Sequence, residues 1–208
     1  MRHLDLGCGL SPKNPYKCDE LFGCDLRDLK FELEKKGIVF AQANLVLEPI
    51  PFGDDSFDSV SAMDFLEHIP RQINGANGEL RNSFVLVMNE IYRVLKPNGI
   101  LFASTPIYPH PAAFIDPTHV NIMSDKSYTY FIGDDPQAGM YGFKGNFEKI
   151  RVYMDTPNNF KYPDEGRFKK VIRRLHRKFL KGGLSHQVWE LKAVKNLATS
   201  KQSGFANI

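Results

Sequence analysis

Leu4-Asp5-Leu6-Gly7-Cys8-Gly9 (residues 4–9) is the stretch on which the fold turns. Residues 2–6 read as a short strand that ends at Gly7. Two glycines in the turn beyond it let a ligand approach the backbone closely. Such a turn alone is often no more than a turn. The third glycine of a dinucleotide fingerprint is absent, and Leu10-Ser11-Pro12 stands in its place. That disfavours a nucleotide diphosphate as the ligand.

Working outward, Leu21 to Leu26 forms a second strand, and Pro12 and Pro15 break any long helix before it. Residues 28–36 hold one or two helical turns, and Ile38 to Ala41 a third strand. Pro49, Pro51, Gly53 and Asp54-Asp55 mark a loop. Phe57 to Ala62 is a fourth strand. Leu80, Phe84, Val87, Met88, Ile91 and Leu95 fall at helical spacing, which predicts a helix over 79–95. Lys96-Pro97-Asn98-Gly99 stops it. Ile100 to Ser104 is a fifth strand, nearly all apolar, as in a sheet covered on both faces. This alternation predicts an α/β fold with a Rossmann-like, mostly parallel sheet.

Beyond it, residues 105–145 are loop-rich, with helical turns near Asp125 to Phe131. Phe147 to Met154 is a sixth strand. Residues 164–181 form a basic helix, a crossover or an insertion, ended by Gly182-Gly183. Gln187 to Val194 is a last strand, expected to run antiparallel. One domain over 1–198 and a frayed tail over 199–208 account for the 208 residues.

Composition narrows the class. Apolar residues make up 42% and charged residues 25%, as in soluble globular chains. Three cysteines (Cys8, Cys18, Cys24) argue against a secreted disulfide scaffold. No run has transmembrane length and no leader pattern is present, so the expected location is cytoplasmic. The net charge is only +3, yet residues 161–181 hold nine Lys or Arg against Asp164 and Glu165.

A second signal is Asp25, twenty residues after Asp5 at the end of the second strand. A carboxylate there can accept hydrogen bonds from both hydroxyls of a ribose. Three further stretches follow. They are Ile50-Pro51-Phe52-Gly53-Asp54-Asp55-Ser56-Phe57-Asp58, Asp64-Phe65-Leu66-Glu67-His68-Ile69, and Asn89 through Leu101. With Leu4 to Gly9 and Phe22 to Leu26, their order and spacing resemble the class I S-adenosylmethionine (SAM) dependent methyltransferases over residues 3–105.

The resemblance implies SAM as cofactor. It implies that Gly7, Cys8 and Gly9 line its methionine part, with Asp5 near the amino group. It assigns Asp25 and the following Leu26 to the ribose, and Asn44 and Leu45 to the adenine. Asn44 replaces the usual Asp, but its side-chain carbonyl can still accept the adenine amine. Asp64 and Phe65 are implied at the sulfonium end, and His68 matches a common family position. The N-terminal helices common in the family are missing. Residues 105–145, or a partner subunit in a homodimer, are then expected to close the cleft, unless the natural start lies upstream.

Methyl transfer needs a general base only for some acceptors, such as a hydroxyl. Thr105 to Pro111 and Phe114 to Val120 leave the fifth strand where open α/β sheets bind ligands. His119 and His110 can take a proton near neutral pH, and Asp116 can orient one of them. Asp116-Pro117-Thr118-His119 resembles small methyltransferases of sugar and polysaccharide pathways, which implies a small-molecule or glycan-precursor acceptor. No metal is expected, because His110, Asp116 and His119 match no ligand template and the cysteines lack paired spacing. Phe168, Val171, Ile172, Leu175 and Phe179 form an apolar stripe within the basic segment. That stripe reads either as a crossover helix packed on the sheet or as a site for an anionic partner over 167–181, a phospholipid surface or RNA. The rival readings of function are an RNA methyltransferase and a non-catalytic SAM-binding partner protein.

Overall fold

The computed structural model describes residues 1–75, 77–157, 166–180 and 183–195. β1 (Arg2–Leu6) and β2 (Glu20–Asp25) precede α1 (Lys30–Glu34) and β3 (Val39–Gln42). β4 (Phe57–Met63) leads through a single 3₁₀ turn, Leu66–His68, to a small ribbon of β5 (Ile73–Asn74) and β6 (Leu80–Arg81). Then come α2 (Ser83–Val94), β7 (Leu95–Pro106), α3 (Ala112–Ile115), β8 (Phe147–Asp155), α4 (Arg167–Leu180) and β9 (His186–Ala193).

Seven strands make one sheet in the order β3-β2-β1-β4-β7-β9-β8. Every described neighbour pair is parallel except those of β9, which runs antiparallel to β7 and β8. This is the Rossmann-like sheet expected, with its antiparallel last strand. β1 is the first of the described elements. Chain order reverses between β1 and β4, so a crevice opens at their C-terminal ends, where the glycine turn lies.

The main core lies under α2. Val87, Met88, Ile91 and Val94 come from one side of that helix and pack on Leu4, Leu6, Phe57, Leu101 and Trp189. Burial of these side chains outweighs the cost of ordering the strands beneath them. A second cluster sits under the five-residue α1, where Leu29, Leu33, Phe40 and Cys8 meet. The β1–β2 connection carries no helix. Instead Tyr16 packs edge-on to Phe102 and donates to Glu190 Oε2 at 3.2 Å.

The sequence reading misses in two places. The helix expected from residue 79 begins at Ser83, because Leu80 and Arg81 pair with Ile73 and Asn74 and leave Leu80 exposed. The turn expected at Lys96–Gly99 is absorbed into β7. Leu95 pairs with Phe57, Asn98 takes a φ of 65°, and the register slips before Ile100 pairs with Ser59. A bulge accommodates the extra residues while Leu95 stays in the core. The tail 199–208, Lys161, Asp164, Glu165, Lys181 and Gly182 lie outside the described residues. Among the described residues, no helix is long and apolar enough to cross a membrane.

Trp189 is fully buried, and its indole N–H donates to Gln187 Oε1 at 2.7 Å. Trp189→Ala should cost about 3–5 kcal/mol in urea unfolding. A loss below about 1 kcal/mol would mean that β9 is not docked in the sheet.

Candidate active site

The glycine turn is shaped by its surroundings. Gly7 has a φ of 63° and Gly9 one of 55°, left-handed values that side chains disfavour. The N–H groups of Gly7 and Cys8 both reach the Cys24 carbonyl, at 2.9 and 3.3 Å, and hold the turn against β2. A Cβ on Gly7 would lie 2.8 Å from the Phe65 ring, so Phe65 covers this glycine. Above Gly9 only the end of the Arg27 side chain approaches. Cys8 is no nucleophile. Its sulfur packs on Gly23 and burial pushes its thiol up to about 12.

Asp25 closes the other side. Its Oδ2 accepts the Gly9 N–H at 2.9 Å, and its Oδ1 accepts the Arg27 N–H at 3.0 Å. Burial opposes its charge, but the Arg27 guanidinium and these two N–H groups outweigh it and hold the carboxyl below its usual range. Arg27 thus lies across the carboxylate that a ribose would need, on a side chain that is largely exposed. The Ala43 N–H bonds to the Asp25 carbonyl and brings Asn44 beside β2. The Asn44 side-chain carbonyl accepts from the Val46 N–H at 3.2 Å, which leaves it one lone pair. Leu45 is half-buried against the main core, and Leu26 is exposed.

Asp5 points inward. Its Oδ1 accepts from the Ser61 hydroxyl and its Oδ2 from the Lys13 N–H at 2.8 Å. Ser61 therefore takes a proton from His3 Nε2 (2.8 Å), and His3 Nδ1 accepts from Ser59 Oγ (2.6 Å). Desolvation drives His3 down to about 4 and Asp5 up to about 7. This Asp-Ser-His chain has the residue types of a hydrolase triad, yet all three side chains are buried and none is open to a substrate. It is a structural strut between β1 and β4.

A second group of polar side chains lies at the ends of β4 and β7. Asp64, at a φ of 49°, donates its N–H to the Ser104 carbonyl and pairs its carboxylate with His186 Nε2 at 3.0 Å. The turn after it is stapled to a distant loop. Val120 and Asn121 N–H groups both reach the Glu67 carbonyl, and the Asn121 amide reaches those of Leu66 and Ile69. The staple brings His68 and His119 together with ring centroids 4.7 Å apart. Glu67, nearly fully buried, has no hydrogen-bond partner on either carboxylate oxygen. Burial first, and the Asp64 charge after it, push its carboxyl up to about 8; its own backbone N–H and the nearby Thr105 hydroxyl oppose this without reaching bonding geometry. These groups line a cavity of about 290 Å³ with Asp116 and His186.

Of the residues singled out in the sequence, His119, Asp116, Asp64 and His68 meet here. His110 does not line the cavity; its Nδ1 accepts from the Ala112 N–H at 3.0 Å. Asp116 holds Thr118 rather than a histidine, accepting its N–H at 2.8 Å and its hydroxyl at 2.6 Å. Glu67 and His186 were missed. Glu67 stands inside a quoted motif, but only its burial reveals it. His186 begins an antiparallel strand, so it falls at the same sheet edge where the parallel strands end. A larger cavity of about 770 Å³ borders α2 and shares only Leu45 with the predicted site. Its size carries no weight here, since it lies away from the glycine turn.

Residues 4–103 match the family model described as a methyltransferase domain. The sheet over these residues has the Rossmann-like topology of the class I methyltransferases. Solved structures share the fold. YcgJ from Bacillus subtilis is 17% identical with a TM-score of 0.53, over 94% of this chain and 92% of that one. A SAM-dependent methyltransferase from Mesorhizobium loti is 15% identical with a TM-score of 0.52, over 92% and 90%. The [4+2]-cyclase SpnF is 17% identical with a TM-score of 0.56, over 94% and 75%. No curated protein matches the chain. Likeness at this level concerns the fold, and a cyclase on the same fold shows that the reaction must be argued from the site.

Asp5 yields a pH prediction. Its proton is held more tightly in the folded chain than at the ordinary value of 3.8, so its contribution favours folding below that pH and is lost as pH rises through about 7. Asp5→Asn lacks that loss. Its stability relative to the natural chain should therefore rise between about pH 5 and pH 8, read from urea midpoints. The opposite dependence of His3 is common to both proteins and cancels. A difference that stays flat would mean that Asp5 titrates as in the unfolded chain.

Proposed function

We propose that this chain transfers the methyl group of SAM to a hydroxyl of a small-molecule or sugar-containing acceptor. One observation carries the reading. Phe65, which covers the glycine turn, stands two residues before Glu67 in a group of side chains that can take a proton, Glu67, His68 and His119. When bound, SAM supplies a methyl carbon activated by its sulfonium.

The turn suits that cofactor: two left-handed glycines, open space above Gly9, and a carboxylate at its edge. The backbone of Gly7, Cys8 and Gly9 would hold the methionine part, with Asp5 beneath. Asp25 would take the ribose hydroxyls once Arg27 moves aside. Asn44, Leu45 and Leu26 would border the adenosine, and Asp64 and Phe65 the reacting end. Alignment and exclusion of water then do most of the work. A hydroxyl must also lose a proton, which is what an imidazole beside a buried carboxyl can receive. The Asp116-Pro117-Thr118-His119 resemblance supports a sugar-containing acceptor.

The helix α4 supports an anionic lipid surface as the setting. Phe168, Val171, Ile172, Leu175 and Phe179 are each at least half exposed, so the stripe does not pack as a crossover helix would. Lys and Arg flank it. A phosphate backbone would use the cations alone, whereas a phospholipid surface uses the aliphatic stripe as well. The full chain should float with vesicles containing anionic lipid and not with neutral ones, and Phe168→Ser with Phe179→Ser should abolish this. Salt-sensitive RNA binding without flotation would favour the RNA reading instead.

Calorimetric titration should show SAM binding, weakened about tenfold or more by Asp25→Ala, since hydrogen bonds to a charged group carry about 1.5–3 kcal/mol. No binding at millimolar SAM by folded protein would end the proposal. Against labelled sugar and lipid-linked acceptors, His119→Ala should lower kcat by about 100-fold while leaving the SAM affinity unchanged. Unchanged turnover would remove His119 from the reaction.

A further inference from the structure

We propose that Glu67, His68 and His119 bind a first-row divalent cation, zinc or manganese, at the acceptor side of the cleft. One ligand atom from each residue lies within 4.8 Å of the others. Two of the three come from the 3₁₀ turn after β4 and the third from the loop after α3. The set shares only His119 with the His110, Asp116 and His119 trio weighed from the sequence.

Proton bookkeeping shows why a cation belongs there. Thr118 has one hydroxyl proton, and it goes to Asp116 Oδ1 at 2.6 Å. The Thr118 oxygen must therefore accept from His68 Nδ1 at 2.9 Å, which leaves His68 Nε2 with a bare lone pair. His119 Nδ1 faces the Ala113 carbonyl at 3.3 Å. A carbonyl only accepts, so Nδ1 carries the proton and His119 Nε2 is likewise bare. The third member is Glu67, with 1% of its surface exposed and no hydrogen-bond partner on either oxygen. One ligand atom of each residue converges here, and buried acceptors left unpaired are costly. A single proton shared in a hydrogen bond satisfies two of the three, whereas a divalent cation satisfies all three.

The supporting groups are those a metal ligand needs. Asp116 through Thr118 fixes the ring of His68, and the Ala113 carbonyl fixes that of His119. Two imidazoles and one carboxylate select zinc or manganese over magnesium or calcium. A tetrahedral ion with bonds of about 2.1 Å sets its ligands about 3.4 Å apart, so modest side-chain rotation closes the site. Its open positions face the cavity bordered by Asp64 and His186. There the cation would lower the pKa of an acceptor hydroxyl, and with it bound His119 would act through the cation and not take the proton itself. That use rests on the function proposed above; the binding itself does not.

The test is calorimetry with zinc and with manganese on the EDTA-treated full chain, without SAM. One saturable site is expected, with a rise in Tm on loading. Glu67→Gln and His119→Ala should each weaken it about tenfold or more, and Thr118→Val, which removes only the support of His68, by about tenfold. His119→Gln serves if the alanine variant fails to fold. His176→Ala, on the exposed face of α4, should leave the affinity unchanged. Absence of saturable binding at millimolar metal, or equal affinity in the Glu67 and His119 variants, overturns the proposal. SAM titrations on the same samples separate the two readings. Metal bound without SAM sinks the methyl-transfer function alone, and SAM bound without metal sinks this site alone.

Discussion

The close approach of Phe65 to Gly7 is the constraint around which the molecule is arranged. A side chain at residue 7 would need a left-handed backbone and would collide with the ring. With glycine there, the end of β1 and the exit of β4 meet at the point where strand order reverses. The glycine turn and the wall of the cavity that holds Glu67 become neighbours. The Cys24 carbonyl ties the turn to β2, and the Asp5, Ser61 and His3 chain ties β1 to β4 below it. Two different chemical environments are thereby held a few residues apart on one rigid sheet.

Those environments divide the ionisable groups. Asp25 is held ionised by Arg27 and backbone N–H groups, whereas Asp5 and Glu67 are pushed toward the neutral form, chiefly by burial. Asp5 nevertheless has its oxygens occupied by protein donors, so its perturbation is structural. Glu67 has none. A perturbed carboxyl in a cleft points to function only when its hydrogen-bonding capacity is also left over.

The sparse covering of the sheet is the other distinctive feature. The long connections between β1 and β2 and between β3 and β4 are loops, and α1 has five residues. Loops carry the polar groups that the cleft uses, and Tyr16 rather than a helix covers Phe102. The one long basic helix, α4, leaves its apolar stripe outward. It adds little to the core and instead presents a surface that combines aliphatic and cationic chemistry.

The sequence alone determined the order of the main elements, the parallel sheet with its antiparallel last strand, and the glycine turn. Hydrophobic spacing, glycine pairs and strand-end carboxylates act over a few residues, so they are readable in line. It also marked His119 and Asp116 individually. Only the tertiary structure decided that His68 and Glu67 join them while His110 does not, because that grouping depends on backbone bonds between residues about fifty positions apart. Burial of Glu67, the loss of the expected 96–99 turn into a bulge, and the exposure of the α4 stripe have the same origin. Each depends on which distant surface a segment meets, and no local pattern encodes that.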